Sequence, residues 1–425
     1  MIMPLLIGGF GNLPIPSMTS PTDMIFPRPN ALSSWIVPWS LSLLLLGMFI
    51  DGGINTGWTF HVPSAITNWS SVDLMPSSPH SAGLSPLLGA INLIVTLVKA
   101  CKLSIVYSSL YLPSYAWAIY STSVSLIISL PVLAGRTTMT IYDRHSNSSL
   151  SDPSRGGDLL LPQHPSRSLG HPEAYIPIIP AFGSISETLP KYCQCYVSGR
   201  DPMLIALSIT GMIGRIVRGH HMFIVGPDTD TRPYPTTATT TTAIPTGIKI
   251  LNRLATMRSA RYFSTTPISF IIGSSSSSSF GGFTGLTPAN CMIDTLSHDP
   301  YSTVAHPHHV LSLGAVYTFF AALHHYILFS KAYCGWHELI GRIHSIISFL
   351  SPNPISFSMH RSGITGLPRR LFDYPVIYFR YHRSNTSGIV GIIIGIILFV
   401  GAVWTQYVHS ILSAWYPILY LRNLQ

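Results

Sequence analysis

The residues best suited to chemistry in this sequence are histidines, and several cluster between positions 298 and 311. The cluster contains His298, Asp299, His306, His308 and His309. Because a helix turns about 100° per residue, His306 and His308 lie about 200° apart, and their imidazoles leave opposite faces of one helix. One helix could therefore serve two metal or cofactor sites, for example as the source of axial ligands to two haems.

A second set of histidines lies earlier in the chain. His171 and Tyr175 are one helical turn apart and share a face, whereas Glu173 points elsewhere. A carboxylate inside an apolar segment is costly enough to be a functional candidate. His220 and His221 are adjacent, and together with His171 they give three imidazoles. Three histidines that leave a coordination position open are typical of a catalytic metal site, and imidazole suits copper, zinc and iron.

The elements that position these residues are predicted to be membrane helices. The chain has 425 residues, of which 47% are hydrophobic and 9% charged, against roughly 25% charged in an ordinary soluble domain. The clearest span, Gly388–Val408, carries no charge and is long enough to cross a hydrocarbon core of about 30 Å. Further predicted spans are Ala31–Ile50, Leu84–Val98, Tyr115–Ala134, Met203–Ile224 and Val310–Ser330. These runs do not alternate, so they predict an all-α polytopic bundle, here taken as one domain over residues 1–425.

The charge and cysteine patterns exclude other classes. The net charge is +9, but the Lys and Arg residues are scattered between apolar runs, which favours a lipid bilayer surface over nucleic acid as a partner. Five cysteines without a CxxC pair argue against a disulfide framework. Gly52–Pro79 and Asp143–Gln163 are predicted to be loops, and Ser274–Ser279 has the composition of a flexible linker.

A series of motifs then relates the sequence to a known family. In chain order they are IGGFGN, NTGW, LLGAIN, LPVLAG, GHPEAY, HHMF with DTDTR, PTGIK, GGFTG, HD followed by VAHPHHVLS, and GLPRRLFDYP. Their order and spacing resemble catalytic subunit I of the haem-copper oxidases, specifically the mitochondrial cytochrome c oxidase type. The resemblance covers essentially the whole chain and makes the serine run part of a helix.

The resemblance implies roles for the histidines and their neighbours. His171, His220 and His221 would bind copper, while His306 would bind the oxygen-reducing haem and His308 the electron-delivering haem. Tyr175 would be cross-linked to His171 and would supply an electron and a proton during cleavage of the O–O bond. Glu173 would be the end of a proton path.

Further roles follow from the same resemblance. Asp23, Asn12 and Asn30 match the mouth of the proton path that leads to Glu173, and Thr246 and Lys249 match a second path. His298 and Asp299 correspond to a magnesium site, for which oxygen ligands are suitable. Arg369 and Arg370 match a pair that holds haem propionates, a task for which guanidinium groups are suited.

The implied activity is the four-electron reduction of O₂ to water, coupled to proton translocation. The implied cofactors are two haems of the a type, copper and magnesium. The implied partners are subunits II and III, and cytochrome c is the implied electron donor through subunit II. The implied location is the mitochondrial inner membrane. Three alternatives remain: a nitric oxide reductase-like protein, a histidine-lined metal-ion transporter and a non-functional conceptual translation. The nitric oxide reductase branch lacks the tyrosine of HPEAY and the lysine of PTGIK, both of which are present here.

The sequence also departs from the family. It is expected to lack the first helix and most of the second, with the other axial histidine. The family has Leu, Phe, Trp and Phe where this chain has Pro165, Ser166, Arg167 and Ser168. It has Trp where this chain has Arg218, and it has Phe and Tyr where this chain has Pro307 and His309. An interior proline costs about 3 kcal/mol and a mid-bilayer Arg about 2.5 to 3.5 kcal/mol. Many of these exchanges are single U-to-C codon changes, and they predict a transcript that requires C-to-U editing.

Overall fold

The computed structural model describes most of the chain, and the described part is helical. It covers residues 4–19, 21–50, 53–54, 71–100, 112–146, 148–158, 160–258, 265–326 and 335–422. Within these ranges there is no strand, and one isolated antiparallel bridge pairs Pro300 with Pro368. The predicted all-α class is therefore confirmed. The NTGW motif, Cys101 and Cys334 lie outside the described residues.

The α-helices, in chain order, have the following bounds. They are α1 (Phe10–Asn12), α2 (Pro14–Thr19), α3 (Pro27–Phe49), α4 (Ser71–Ala100), α5 (Ser114–His145), α6 (Leu160–Cys193), α7 (Arg200–Ile216), α8 (Pro233–Arg258), α9 (Thr266–Ala289), α10 (Cys291–Ser297), α11 (Ser302–Pro307), α12 (Val316–Tyr326), α13 (Gly335–Leu350), α14 (Pro352–Ile364) and α15 (Phe379–Arg422). Short π segments occupy Pro4–Gly9 and His308–Ala315, and 3₁₀ segments occupy Pro153–Arg155, Val217–Met222 and Val376–Tyr378.

Five helical segments among the described residues are long and apolar enough to cross a membrane. They are Pro27–Phe49, Ser71–Lys99, Ser114–His145, Arg200–Met222 and Val376–His409. The last has a mean hydropathy of 2.5 and is the segment in which the sequence predicts its clearest span. The chain is therefore a multi-pass membrane protein.

The ends of the predicted elements differ from the observed ones. The loop predicted for Gly52–Pro79 is wrong at its end, because α4 begins at Ser71 and contains Pro76 and Pro79. The loop Asp143–Gln163 is shorter than predicted, since helix extends to His145 and resumes at Leu160. Apolar neighbours override the local preference of proline and polar residues for loops, which is why composition alone misplaces these ends.

The serine run lies inside a helix. Ser274–Ser279 belongs to α9, whose first turn begins with Thr266 and Pro267, a favourable helix start. The Ser274 hydroxyl donates to the Gly314 carbonyl at 2.7 Å, so this serine is held by the neighbouring π segment. The flexible-linker interpretation, which rests on composition, is therefore wrong.

The described residues form two compact units. The first comprises Met1–Gly183 and Leu204–Met222. Within it α4 packs against α3 and α5. Its core is a set of small and apolar side chains from α5, α6 and α7: Ala118, Ile179, Phe182, Leu204 and Leu207.

The second unit comprises Ser184–Met203 and Phe223–Gln425. Within it α9 packs against the π segment His308–Ala315 and against α12, and α13 packs against α15. Its core consists of Ile185, Leu189, Cys193, Met257, Phe270, Ile271, Leu313, Tyr317 and Ala321. The prediction of one domain over residues 1–425 stays a prediction.

Candidate metal centre

Three histidines of the first unit converge on one point. The Nδ1 atom of His171 lies 3.3 Å from Nε2 of His221, and the Nε2 atoms of His220 and His221 are 3.0 Å apart. One nitrogen of each ring lies within 4.8 Å of the other two. His171 is buried, His220 is half-buried and His221 is exposed, so the centre is open on one side.

The spacing and chemistry of the three rings fit a metal ion. Nitrogens bound about 2.0 Å from a tetrahedral ion lie about 3.3 Å from one another. The two shortest nitrogen separations, 3.0 and 3.3 Å, agree with that value. Imidazole nitrogens favour copper over the hard cations, and three ligands leave one position for a small molecule. The residues present therefore fit a catalytic copper ion.

Secondary structure explains how the three side chains meet. His171 lies in the middle of α6, whereas His220 and His221 lie on the 3₁₀ segment that follows α7. The change from α-helix to the tighter 3₁₀ winding reorients the last turn of the segment. The His220 and His221 ring centroids are 4.0 Å apart, and the His171 and His220 rings meet edge to face at 4.8 Å.

Tyr175 lies against the same centre. Its ring centroid is 4.6 Å from that of His171, with the planes inclined by 65°, as the spacing of one helical turn predicts. Helix α7 passes close on its other side. A Cβ atom at Gly214 would lie 2.7 Å from Cδ2 of Tyr175, which is closer than side chains tolerate. The glycine thus lets α7 approach the tyrosine ring. Glu173, two residues from His171, is half-buried.

His306 and His308 in the second unit have the same hydrogen-bonding pattern. Nδ1 of His306 donates to the Gly281 carbonyl at 2.8 Å, and Nδ1 of His308 donates to the Val304 carbonyl at 2.7 Å. A carbonyl only accepts, so each Nδ1 carries the proton and each Nε2 is left as a lone-pair donor. This is the arrangement found in metal-binding histidines.

The space around His306 is adapted to its ring. A Cβ atom at Gly285 would lie 2.5 Å from its Cε1, so glycine is required there. His308 is exposed, in agreement with the prediction that the two rings leave different faces. His309, by contrast, is buried, and its Nδ1 lies 2.7 Å from the Ser356 hydroxyl.

The candidate proton-path residues are only partly brought together. The Asn12 side-chain amide donates to the side-chain oxygen Oδ1 of Asn30 at 3.0 Å. Asp23 is exposed, and its carboxylate accepts from the Met24 backbone amide at 2.7 Å. Lys249 is fully buried on α8. Thr246 is half-buried and donates to the Thr242 carbonyl of its own helix at 3.0 Å.

The carboxylate beside His298 is that of Asp294, and not that of Asp299, with which the sequence pairs it as a magnesium site. His298 Nδ1 lies 3.6 Å from the Asp294 carboxylate, and Asp294 is buried at the first turn of α10. Asp299 is exposed, and its carbonyl accepts from Arg369. Sequence reasoning missed Asp294. The spacing of one helical turn between Asp294 and His298 is the signal that could have found it.

Arg369 and Arg370 are exposed beside this segment. The Arg369 backbone amide donates to the Asp299 carbonyl at 2.8 Å, next to the bridge between Pro300 and Pro368. Arg370 has a φ of 60°, which is uncommon for a residue with a side chain. The bridge therefore fixes the backbone that carries both guanidinium groups.

Comparison with known proteins gives consistent results across the chain. The family model for cytochrome c and quinol oxidase polypeptide I matches residues 1–397. A cytochrome c oxidase subunit 1 from Pecten maximus is 40% identical over 410 residues, which is 95% of this chain and 85% of that protein. The Yarrowia lipolytica protein of the same name is 39% identical over 415 residues, 96% of this chain and 77% of that protein.

A solved structure agrees with these relatives on the fold. It is a cryo-EM structure of a heme-copper terminal oxidase dimer, with a TM-score of 0.74 and 17% sequence identity. The match covers 95% of this chain and 74% of the solved chain. The bundle described above is therefore of the type seen in that oxidase.

Proposed function

The chain belongs to the cytochrome c and quinol oxidase polypeptide I family, and on this premise we propose that it reduces O₂ to water at a haem-copper centre built on His171, His220 and His221. It is the catalytic subunit of a terminal oxidase, an oxidoreductase. The observation that supports the assignment of the centre is the convergence of three imidazoles beside a tyrosine in the first unit. Nitric oxide reduction and metal transport are not favoured by the relatives.

The proposed ligand residues of each unit have defined tasks. The three histidines hold the copper, and His306 and His308, each with Nε2 unprotonated, hold the oxygen-binding and electron-delivering haems. When bound, the metals would pass electrons from the donor to oxygen. The Tyr175 ring lies beside that of His171, and its task in this proposal is to give its phenolic proton to a reacting oxygen.

Proton delivery and the remaining sites are part of the same proposal. Asp23, Asn12 and Asn30 form the mouth of a path to Glu173, and Thr246 and Lys249 belong to a second path. Polar side chains are needed for this because bulk water is excluded from the apolar span. His298 and Asp299 hold magnesium in this proposal. The Asp294 carboxylate, 3.6 Å from Nδ1 of His298, helps to orient that imidazole. Arg369 and Arg370 bind haem propionates.

We further propose that the haems are of the a type, that oxidase subunits II and III are partners, and that cytochrome c is the electron donor. The chain would form one domain and lie in the mitochondrial inner membrane. The relatives' name, cytochrome c oxidase subunit 1, supports the donor. The test is to purify the complex from mitochondrial membranes and measure oxygen uptake with reduced cytochrome c and, separately, with a quinol. Uptake with quinol alone, or a preparation without copper and haem absorption, would contradict the proposal.

Gly214 provides a specific test of Tyr175. We expect Gly214→Ala to lower oxygen uptake by up to about 10²-fold, because the added methyl pushes the Tyr175 ring away from His171, and displacements near 1 Å have effects of that size. Gly211→Ala is the matched control on the same helix, since its Cβ would meet Ile179 and Ser125 at the ordinary distances of 3.5 and 3.9 Å. Equal activity in the two variants would show that the Tyr175 position does not matter.

A further inference from the structure

The serine run of α9 buries hydroxyl groups that differ in their hydrogen bonding. Ser275 and Ser277 are buried, and their hydroxyls have no hydrogen-bond partner among the described residues. Ser274 shows the contrast, because its hydroxyl donates to the Gly314 carbonyl. A buried hydroxyl without a partner costs about 1 to 3 kcal/mol, whereas an apolar side chain at the same position would add favourable burial.

Two histidines of the second unit lie among phenylalanines. His324 is buried, and neither of its ring nitrogens has a hydrogen-bond partner among the described residues. Phe270 stacks on it at 5.7 Å with an interplanar angle of 19°. His309 is buried between Phe280 and Phe357, at 6.3 and 5.5 Å, and its Nε2 has no such partner. Each site also has a polar neighbour, the Ser356 hydroxyl 2.7 Å from His309 and the His337 ring 5.4 Å from His324, so an aromatic ring that carries a hydroxyl group suits it.

Helix α4 carries three interior prolines within 30 residues: Pro76, Pro79 and Pro86. Each removes a backbone hydrogen bond and crowds the preceding turn, at a cost of about 3 kcal/mol. Together they approach the whole stability of a domain, which is about 5 to 15 kcal/mol. Leu or Ser at each of these positions would restore the backbone donor that the proline lacks.

These sites share a property at the level of the codon. A single C-to-U change converts a Ser codon UCN into Phe or Leu, a His codon CAY into Tyr, and a Pro codon CCN into Leu or Ser. We infer that the working chain is translated from a transcript edited at Ser275, Ser277, His309, His324 and the three α4 prolines. In each edit, water attacks C4 of cytidine, the bond from C4 to the amino nitrogen breaks, ammonia leaves and a carbonyl forms. No oxidant or reductant is needed.

The structure also predicts which histidine codons are left unchanged. His171, His220 and His221 face one another, and editing would convert each of them into Tyr and remove the ligand set. His306 and His308 hold their tautomers through backbone carbonyls. The proposed ligand histidines thus contact one another or a backbone carbonyl through a ring nitrogen, whereas His309 and His324 each pack against a phenylalanine ring. This inference does not depend on the identity of the oxidase substrates.

The test compares genomic DNA with cDNA from mature transcripts, and with peptides of the chain recovered from mitochondrial membranes. We expect Phe or Leu at 275 and 277, Tyr at 309 and 324, and Leu or Ser at 76, 79 and 86. The five proposed ligand histidines are the internal control and remain His. Unchanged codons at these seven positions, or membrane peptides that still contain Ser275 and His324, would each overturn the inference. Tyr at a ligand position would instead contradict the proposed copper and haem ligands.

Discussion

The His220→Ala variant of the assembled oxidase is expected to lose its copper and at least about 10²-fold of its oxygen uptake. The minimum follows from a comparison: removing only an outer hydrogen-bond partner of a metal ligand costs 10- to 100-fold, and His220 is a proposed direct ligand. Its Nε2 lies 3.0 Å from that of His221, so its removal leaves two imidazoles, too few for a stable site with one open position. Metal analysis and oxygen uptake on the same preparation measure both effects.

His145→Gln is the control for this variant. The His145 side chain is 59% exposed and lies in the same unit, where it contacts Asp73 at 3.2 Å. Asp73 is also held by Arg144, so the loss of one contact is tolerated. We expect normal copper content and activity. If His220→Ala kept its copper, the three histidines would not be the copper ligands.

The second large effect concerns His306. We expect His306→Ala to abolish absorption from the oxygen-binding haem and to reduce turnover below detection, because no other ligand for that iron is proposed. A milder variant tests the surroundings: the methyl of Gly285→Ala would fall 2.5 Å from Cε1 of His306 and would force the ring to move. Haem spectra of the reduced enzyme and of its carbon monoxide complex measure occupancy and geometry.

Gly282→Ala is the matched control for Gly285→Ala. It lies one turn earlier on α9, and its Cβ would meet nothing within 4 Å, so it carries the same change in helix propensity without the contact. We expect its spectrum and turnover to match the unmodified oxidase. If both variants changed the haem spectrum equally, the effect would come from the helix rather than from His306.

Much of the fold could be predicted from hydropathy, and the errors have physical causes. The span Gly388–Val408 lies inside α15, and Ala31–Ile50 nearly coincides with α3. Hydropathy does not predict helix α8, because Thr and Pro dominate its first half. Such residues have a low helix propensity and become helical through tertiary packing. The start of α4 was missed for the same reason, since its first turns contain prolines and serines.

The candidate site was predictable in part. The contact between His171 and Tyr175 follows from their helical spacing, and the different exposure of His306 and His308 follows from the helical turn. The meeting of His171 with His220 and His221 does not follow from spacing, because 50 residues separate His171 from His221. Only the resemblance in motif order predicted it. The motif pairs His298 with the adjacent Asp299, whereas the helical turn brings Asp294 to its imidazole, and motif order alone does not predict that contact.

The separation of 50 residues between His171 and His221 has a consequence for assembly of the oxidase. An ion bound by both residues requires the chain between them to form a closed loop, and the entropy cost of that closure is met when the two segments fold together. As proposed copper ligands, these histidines would also link α6 to the segment after α7 and stabilise the folded chain over the unfolded one. We therefore expect the copper-free chain to unfold more readily than the copper-loaded one, so that copper supply affects how much of the chain is folded.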